Sequence, residues 1–170
     1  MNAKFLVTGA IVGGIVLFLW GAVTHALLPQ PLREFKDEKT VVETIRANGS
    51  GNGVYFARRG MLASVAFLPD LGDKSQNITS NLLIQFCTDT LGALLLCLSL
   101  GAIRPDSALG HSLKLGLVGL VVVALKLAPY WNWYGLSPPF IAMEALDVVG
   151  KFFIGGLVLS ALMKKLAPAG

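Results

Sequence analysis

Four long apolar stretches decide what this chain can fold into. A helix needs about 20 apolar residues to cross the roughly 30 Å hydrocarbon core of a bilayer. The chain has 170 residues, of which 54% are hydrophobic and 14% charged, and its mean hydropathy is +0.67. That balance is too apolar for an ordinary soluble domain. The sequence therefore predicts an all-α membrane protein, a four-helix bundle whose transmembrane helices are residues 1–28, 79–103, 112–130 and 140–163.

The first apolar stretch has some features of a secretory signal. It follows a single cation, Lys4, and ends at residues 24–26, a segment that loosely resembles a cleavage site. The hydrophobic region of a signal peptide is about 7–15 residues long, and this stretch is longer. We therefore expect it to be retained as a membrane anchor.

Cations near the ends of the spans indicate an orientation. Lysine and arginine are enriched in the short cytoplasmic segments of membrane proteins. The short segment between the last two spans carries no cation. We therefore expect both termini in the cytoplasm and residues 29–78 on the outer side. The cations that define the cytoplasmic side, opposed only by Asp106, are Lys4, Arg104, Lys114, Lys164 and Lys165.

The long segment between the first two spans has the pattern of a small folded unit. Acidic residues at 37–38 favour a helix start, and the glycine-rich residues 49–53 end that helix. The mainly apolar residues 54–57 and 61–68 predict two strands, joined by a tight turn at 58–60 that contains a glycine. The segment is too small to be stable alone. We expect this helix and β-hairpin to rest on the outer ends of the bundle.

Apart from Lys4 and Lys114 at the cytoplasmic ends, five charged residues lie inside the predicted spans. A lone charge at the bilayer centre costs at least about 2.5–3.5 kcal/mol and usually faces a partner. Spacing and depth predict one mid-membrane network and one pair nearer the outer surface. The network contains Asp89, Asp147 and Lys151, and the outer pair is Lys126 with Glu144.

Three acids face two lysines in this set, and the imbalance suggests two interpretations. Either one carboxyl is protonated or His25 joins the network as a cation. A functional interpretation is a proton or cation pathway from the outer side, with Asp89 or Asp147 as the titrating group. A structural interpretation is that the paired charges fix the register of the helices.

The histidines and cysteines give little support for a cofactor or an enzyme. His25 and His111 are expected at opposite membrane faces, so one chain cannot hold a haem between them. His25 alone remains a possible ligand of a pigment or haem, or a proton site, against the simpler role of a polar helix end. No spacing suggests zinc, and no Ser–His–Asp arrangement has credible geometry. We expect no catalysis, metal or cofactor.

Small and aromatic residues suggest where the helices meet other surfaces. Gly9 and Gly13 form a GxxxG step, which allows close helix packing within the bundle or with another subunit. Trp131, Trp133 and Tyr134 are expected in a tight outer loop. Such residues usually form a belt at the membrane interface, and a binding platform is the alternative.

Several short motifs together carry a resemblance to a known family. They are Trp20-Gly21, Leu28-Pro29, Phe35-Lys36-Asp37-Glu38, Trp131-Asn132-Trp133-Tyr134-Gly135, and Asp147. With these, the chain resembles a family of small, uncharacterised bacterial four-helix inner-membrane proteins. The resemblance implies a bacterial inner membrane with residues 29–78 in the periplasm. It implies no activity, cofactor or catalytic residue.

Three functional hypotheses follow from the sequence. The first is a non-enzymatic accessory or assembly subunit, with other membrane proteins or a second copy as partners. The second is an oligomeric transporter of a small solute, coupled to protons or cations through the buried carboxylates. The third is a redox or pigment-binding subunit that uses His25. Nucleic acid is not an expected partner, because the net charge of +4 comes from cations at the membrane flanks.

Overall fold

Four long apolar helices and a small helix-and-hairpin insert make up the fold. The computed structural model describes residues 3–29, 31–57, 61–65, 74–103 and 106–166. The helices of the bundle are long and apolar enough to cross a membrane, which confirms the prediction of four such segments. In chain order the elements are α1 (Ala3–Leu27), α2 (Glu38–Asn48), β1 (Gly53–Ala57), β2 (Met61–Val65), α3 (Lys74–Ala102), α4 (Ala108–Tyr134) and α5 (Pro138–Leu166).

Three of the apolar helices extend beyond the predicted spans. The α3 helix begins five residues earlier, at Lys74. The α4 helix begins after Ser107, whose hydroxyl accepts a hydrogen bond from the backbone N–H of Gly110 and caps it. It ends before Gly135, which has φ +66° and stops the helix in the left-handed conformation. A prediction from hydropathy does not include these additional helical turns, because polar residues continue each helix beyond its apolar part.

Both α1 and α4 widen into a π-helical turn towards the end of the bundle that carries the insert. The turns are Val23–Leu27 in α1 and Val123–Leu127 in α4. Each ends two residues before a proline, Pro29 or Pro129. Proline has no N–H to donate to the carbonyl four residues earlier, so the hydrogen-bond pattern must change near it. The extra residue in each π turn changes which of the following residues point towards the interior of the bundle.

The centre of the bundle is α1, which packs against both α3 and α5. Its buried glycines allow this close approach. A Cβ at Gly13 would lie 2.7 Å from the Cβ of Ala93 in α3 and 3.0 Å from Cδ2 of Leu159 in α5. Gly9 packs in the same seam against Cys97. Gly9 and Gly13 therefore pack inside the bundle, which is the first of the two roles that the sequence suggested for them.

The α4 helix packs on the far side of α5 and makes no extended contact with α1 or α3 in the described ranges. Glycines again form the seam. A Cβ at Gly119 would lie 3.1 Å from Cα of Val149, and one at Gly156 would lie 2.9 Å from Cα of Ser112. The four helices thus form an open row, α3–α1–α5–α4, in which α3 and α5 approach each other only partly. The predicted bundle is correct in helix number, but it is not a closed ring.

An apolar core fills the space between α1, α3 and α5, mainly in the half nearer the chain termini. Its buried side chains come from all four long helices, and each is at most 7% exposed. The members of this core are Phe5, Leu17, Ala93, Leu96, Cys97, Leu100, Leu115 and Leu159.

The insert contains the predicted helix and hairpin. The Asp37 carboxylate caps α2 by accepting from the Thr40 backbone N–H at 3.1 Å. Hydrogen bonds from Thr40 hold the pKa of this carboxyl below its usual value. The strands β1 and β2 pair antiparallel with Gly53 opposite Val65, whereas the predicted turn at 58–60 and the end of the second strand lie outside the described residues.

The insert rests on the bundle less than we expected. The α2 helix has no buried residue and no extended contact with the long helices. One cleft lies between the hairpin, at Val54 and Ser64, and the end of α4, at Tyr130 and Tyr134, and another lies between residues 31–33 and the α4–α5 connection. Most of the insert's surface is therefore unpartnered within the described chain.

The glycine seam makes a prediction about stability. Gly13→Ala should lower the free energy of unfolding by about 1–3 kcal/mol, because the new methyl overlaps the short, rigid side chain of Ala93. Gly92→Ala is the matched control, since its Cβ would meet nothing closer than Leu17 Cδ1 at 3.9 Å. Thermal unfolding in detergent should separate the two variants, and equal melting temperatures would contradict the packing described here.

Candidate functional site: a buried charge cluster

The Lys151 ammonium lies between two buried carboxylates on two different helices. Its Nζ is 3.2 Å from Asp147 Oδ2 in α5 and 3.5 Å from Asp89 Oδ1 in α3. The Asp89 and Asp147 side chains are only 8% and 9% exposed, and that of Lys151 is 20% exposed. The structure thus brings together the three residues that the sequence placed in one network.

The π turn of α1 supplies further partners for Asp147. The Thr24 hydroxyl donates to Asp147 Oδ1 at 2.7 Å, and His25 Nε2 lies 3.7 Å from Asp147 Oδ2. The Trp20 indole N–H donates to the backbone carbonyl of Asp147 at 3.2 Å. A π turn is wider than an α turn, so successive residues such as Thr24 and His25 diverge less and can reach the same carboxylate.

Asp89 has a second donor within its own helix. The Gln85 amide nitrogen lies 3.0 Å from Asp89 Oδ2 and donates to it one helical turn away. All four carboxylate oxygens of Asp89 and Asp147 therefore face an N–H or O–H group. A buried carboxylate is tolerated only when it is paired and hydrogen-bonded in this way.

Two glycines make room for the long side chains of the cluster. A Cβ at Gly150 would overlap the indole ring of Trp20. A Cβ at Gly21 would lie 3.4 Å from Lys151 Nζ. The Trp20-Gly21 and Asp147 motifs of the sequence resemblance are thus brought into contact.

The positive and negative charges of the cluster are equal in number only when His25 is protonated. Asp89 and Asp147 supply two negative charges and Lys151 one positive charge. The four groups therefore carry a net charge of −1 when His25 is neutral and zero when it is an imidazolium. The sequence suggested His25 as a cation for this purpose, and the structure places its ring beside Asp147.

The predicted outer pair of Lys126 with Glu144 is wrong. Lys126 is exposed, and its Nζ lies 4.9 Å from the centre of the Tyr130 ring, a cation–π distance. Glu144 is half-buried and forms no ion pair within the described residues. The π turn explains the error: the added residue turns Leu127, 8% exposed, to the interior in place of Lys126.

Two cavities adjoin Lys151 on opposite sides. One of about 410 Å³ lies between α1 and α3 and is lined by His25, Asn81, Gln85 and Lys151, together with apolar residues. The other, of about 240 Å³, is lined by Asp89, Lys151 and mainly apolar residues of α3. His25 has a side chain that is 50% exposed, far more than the other three ionisable groups. The cluster is therefore most accessible at His25, near the insert end.

The aromatic segment is helical, so the prediction of an outer loop is wrong. Trp131, Trp133 and Tyr134 belong to the last turns of α4, and only residues 135–137 separate α4 from α5. Their exposed fractions are 55%, 79% and 49%. Pro129 stands near the start of this segment, where a missing N–H is tolerated, so the helix continues.

A second buried polar contact lies at the opposite end of the bundle. His111 Nδ1 is 2.8 Å from Ser160 Oγ, and both residues are at most 1% exposed. The sequence did not predict a serine–histidine pair. Because both groups are enclosed, the contact joins α4 to α5 and offers no surface to a substrate.

The candidate ligands for a metal ion or a pigment are the His, Cys, Asp and Glu side chains of the described ranges. No three side chains among His, Cys, Asp and Glu come together there at metal-binding spacing. His25 Nε2, which would ligate a haem or pigment, faces Asp147.

No protein-family model, curated protein or solved structure matches the chain.

Trp20, Thr24 and Gln85 are the site residues that the sequence did not reveal. Neutral polar residues are common in transmembrane helices, so their identity alone gives no signal. The available signal was periodicity, since Trp20 and Thr24 continue the face of α1 that contains Gly9, Gly13 and Leu17.

The Thr24 contact can be tested by removing one hydroxyl. Thr24→Val should reduce the free energy of unfolding by about 1–3 kcal/mol, because it leaves Asp147 Oδ1 without its donor. Thr88→Val is the control, since the exposed Thr88 hydroxyl bonds only to the Gln85 carbonyl in its own helix. Equilibrium unfolding in mixed micelles measures both, and a Thr24 variant as stable as the control would show that the contact is unimportant.

Proposed function

We propose that this protein is a non-enzymatic multi-pass membrane protein that binds and releases a proton or small cation at the buried charge cluster, as the coupling step of an oligomeric small-solute carrier. The observation that supports it best is the joining of Asp89, Lys151 and Asp147 across two helices, next to the half-exposed His25. Ionisable groups inside a membrane domain are costly and usually belong to ion or substrate pathways.

The surroundings of the cluster favour access from one side. His25 and the larger cavity face the insert end. Towards the termini, the space between the helices is filled by apolar side chains such as Leu96, Leu100 and Leu159, at most 7% exposed. A single open row of four helices encloses no path through this core. Transport by this chain would therefore need a conformational change, an oligomer, or both.

The four apolar helices indicate a multi-pass membrane protein. We propose that it lies in a bacterial inner membrane, with both termini in the cytoplasm and residues 29–78 in the periplasm. The cations near the chain ends and the sequence resemblance support this orientation. The charge cluster would then be reached from the periplasm.

Trp20 provides a reporter for ion binding, because its indole bonds to the backbone of Asp147. Replacing Trp131 and Trp133 by Phe leaves Trp20 as the only tryptophan. In nanodiscs, its fluorescence should change saturably either between about pH 5 and 8 or with added Na⁺, K⁺ or Mg²⁺ at constant ionic strength. Asp89→Asn should weaken the response about tenfold in ion concentration, equivalent to a loss of about 1.4 kcal/mol.

Asp106→Asn is the matched control, because Asp106 lies at the other end of the bundle in an exposed pair with Lys114. Lys114 and the Ser107 backbone N–H lower the pKa of Asp106, but an exposed pair contributes little to stability. This variant should respond like the parent. A fluorescence signal that is independent of pH and of every cation would exclude the proposed ion binding.

The insert favours a second function, that of an accessory or assembly subunit. Its α2 helix has no buried residue, and the large apolar side chains of Leu32 and Phe35 before it are 72% and 65% exposed. Apolar side chains exposed outside the long helices are typical of a contact with another protein or with the membrane surface.

Removing this surface tests the subunit hypothesis. After extraction in mild detergent from the native membrane, a stoichiometric partner protein should co-purify with the parent chain. The pair Leu32→Ser and Phe35→Ser should reduce its recovery at least about fivefold if those residues contact it. The control is Val7→Ser with Ile11→Ser, on the exposed face of α1. A parent chain that elutes without any partner would argue against this function.

A further inference from the structure

We infer that the ion bound by the cluster is a proton and that His25 is the group that carries it. This inference rests on the ion binding proposed above and names the ion and its first acceptor. It assigns His25 a role in which its charge changes while Asp89, Asp147 and Lys151 stay charged.

The oxygen atoms of the cluster are arranged for hydrogen-bond donors and not for a metal cation. Cations such as Mg²⁺ or Ca²⁺ require about six oxygen ligands with lone pairs directed at one point. Here Asp147 Oδ1 accepts from Thr24, and Asp89 Oδ2 accepts from Gln85. The two remaining oxygens face Lys151. A metal ion would have to displace these donors, whereas a proton can bind at the edge of the cluster and leave them in place.

His25 is the basic group that such a proton reaches first. Its side chain is half exposed and lines the cavity between α1 and α3. The charged groups packed near it within the described residues are Asp147 and Lys151 from α5 and Asp89 from α3. Two carboxylates against one ammonium leave one negative charge, which an imidazolium at His25 would balance. Glu144 lies three residues before Asp147 and is also acidic, so it supplies no cation that could balance the two carboxylates.

Protonation of His25 would redistribute the bonds of Lys151. A proton from water binds a ring nitrogen, both ring nitrogens then donate, and no other covalent bond changes. Asp147 Oδ2 then has two cationic partners, His25 and Lys151, while Asp89 has only Lys151. The ammonium shifts from Asp147 towards Asp89, which strengthens the link between α3 and α5. Loss of the proton reverses the shift, so protonation at the insert end changes the contact between two helices.

The test uses the single-tryptophan protein in nanodiscs, with Trp20 fluorescence as the readout. The parent should show one pH transition between about pH 5 and 8. Exchanging choline for Na⁺ or K⁺ at fixed ionic strength should move its midpoint by less than about twofold in proton concentration, since only screening remains. His25→Gln should abolish the transition, and His25→Lys should hold the low-pH signal across the whole range. His111→Asn, which keeps a polar group beside Ser160, should leave the transition unchanged.

The outcomes separate the two proposals. A transition that persists in His25→Gln but is lost in Asp147→Asn would overturn the role of His25. Competition between protons and Na⁺ or K⁺ would overturn the assignment of the ion as a proton, and would leave the ion-binding function in place. A response to neither pH nor any cation would remove both. Helical content measured by circular dichroism identifies any variant that fails to fold, and in that case His25→Lys alone decides through its fixed signal.

Discussion

A carboxylate inside an apolar bundle is stable only when donors surround it, and Asp147 imposes this requirement on its neighbours. Its two oxygens and its backbone carbonyl take hydrogen bonds or ion pairs from α1 and from its own helix α5. These contacts fix the rotation and depth of α1 relative to α5. The π turn of α1 and the absence of a Cβ at Gly21 and Gly150 all serve this contact.

The α5 helix organises the rest of the bundle because it contacts every other long helix. Small residues bring it close to α1 and to α4, and its contact with α3 combines Gly155, which lies against Leu96, with Lys151 and the apolar core. Glycine seams are dense and leave little freedom, whereas the α3–α5 contact is flanked by a cavity. The α3–α5 interface, which contains the charge bridge, is the least extensive of the contacts that α5 makes with the long helices.

The main outline of this fold could be predicted because membrane insertion imposes simple rules. Helix number follows from hydropathy, and the joining of Asp89, Asp147 and Lys151 follows from the cost of an isolated charge. The position of Lys126 could not be predicted in the same way. Buried residues of α4 recur at Ser112 and Gly119, and a regular helix would place residue 126 on that face, but the π turn before Pro129 moves Leu127 there instead.

Chain order gives the charge bridge a consequence for biosynthesis. Asp89 is in α3 and its only cationic partner among the described residues is in α5, so the ribosome makes the acid two long helices before the base. Until α5 is synthesised, the Asp89 carboxylate in α3 accepts a hydrogen bond only from Gln85, one turn away in the same helix. The α4 helix, which precedes α5, packs closely against it through glycines of both helices. The α5 helix, which is synthesised after α1 and α3, is thus the one that joins these two helices through the charge cluster.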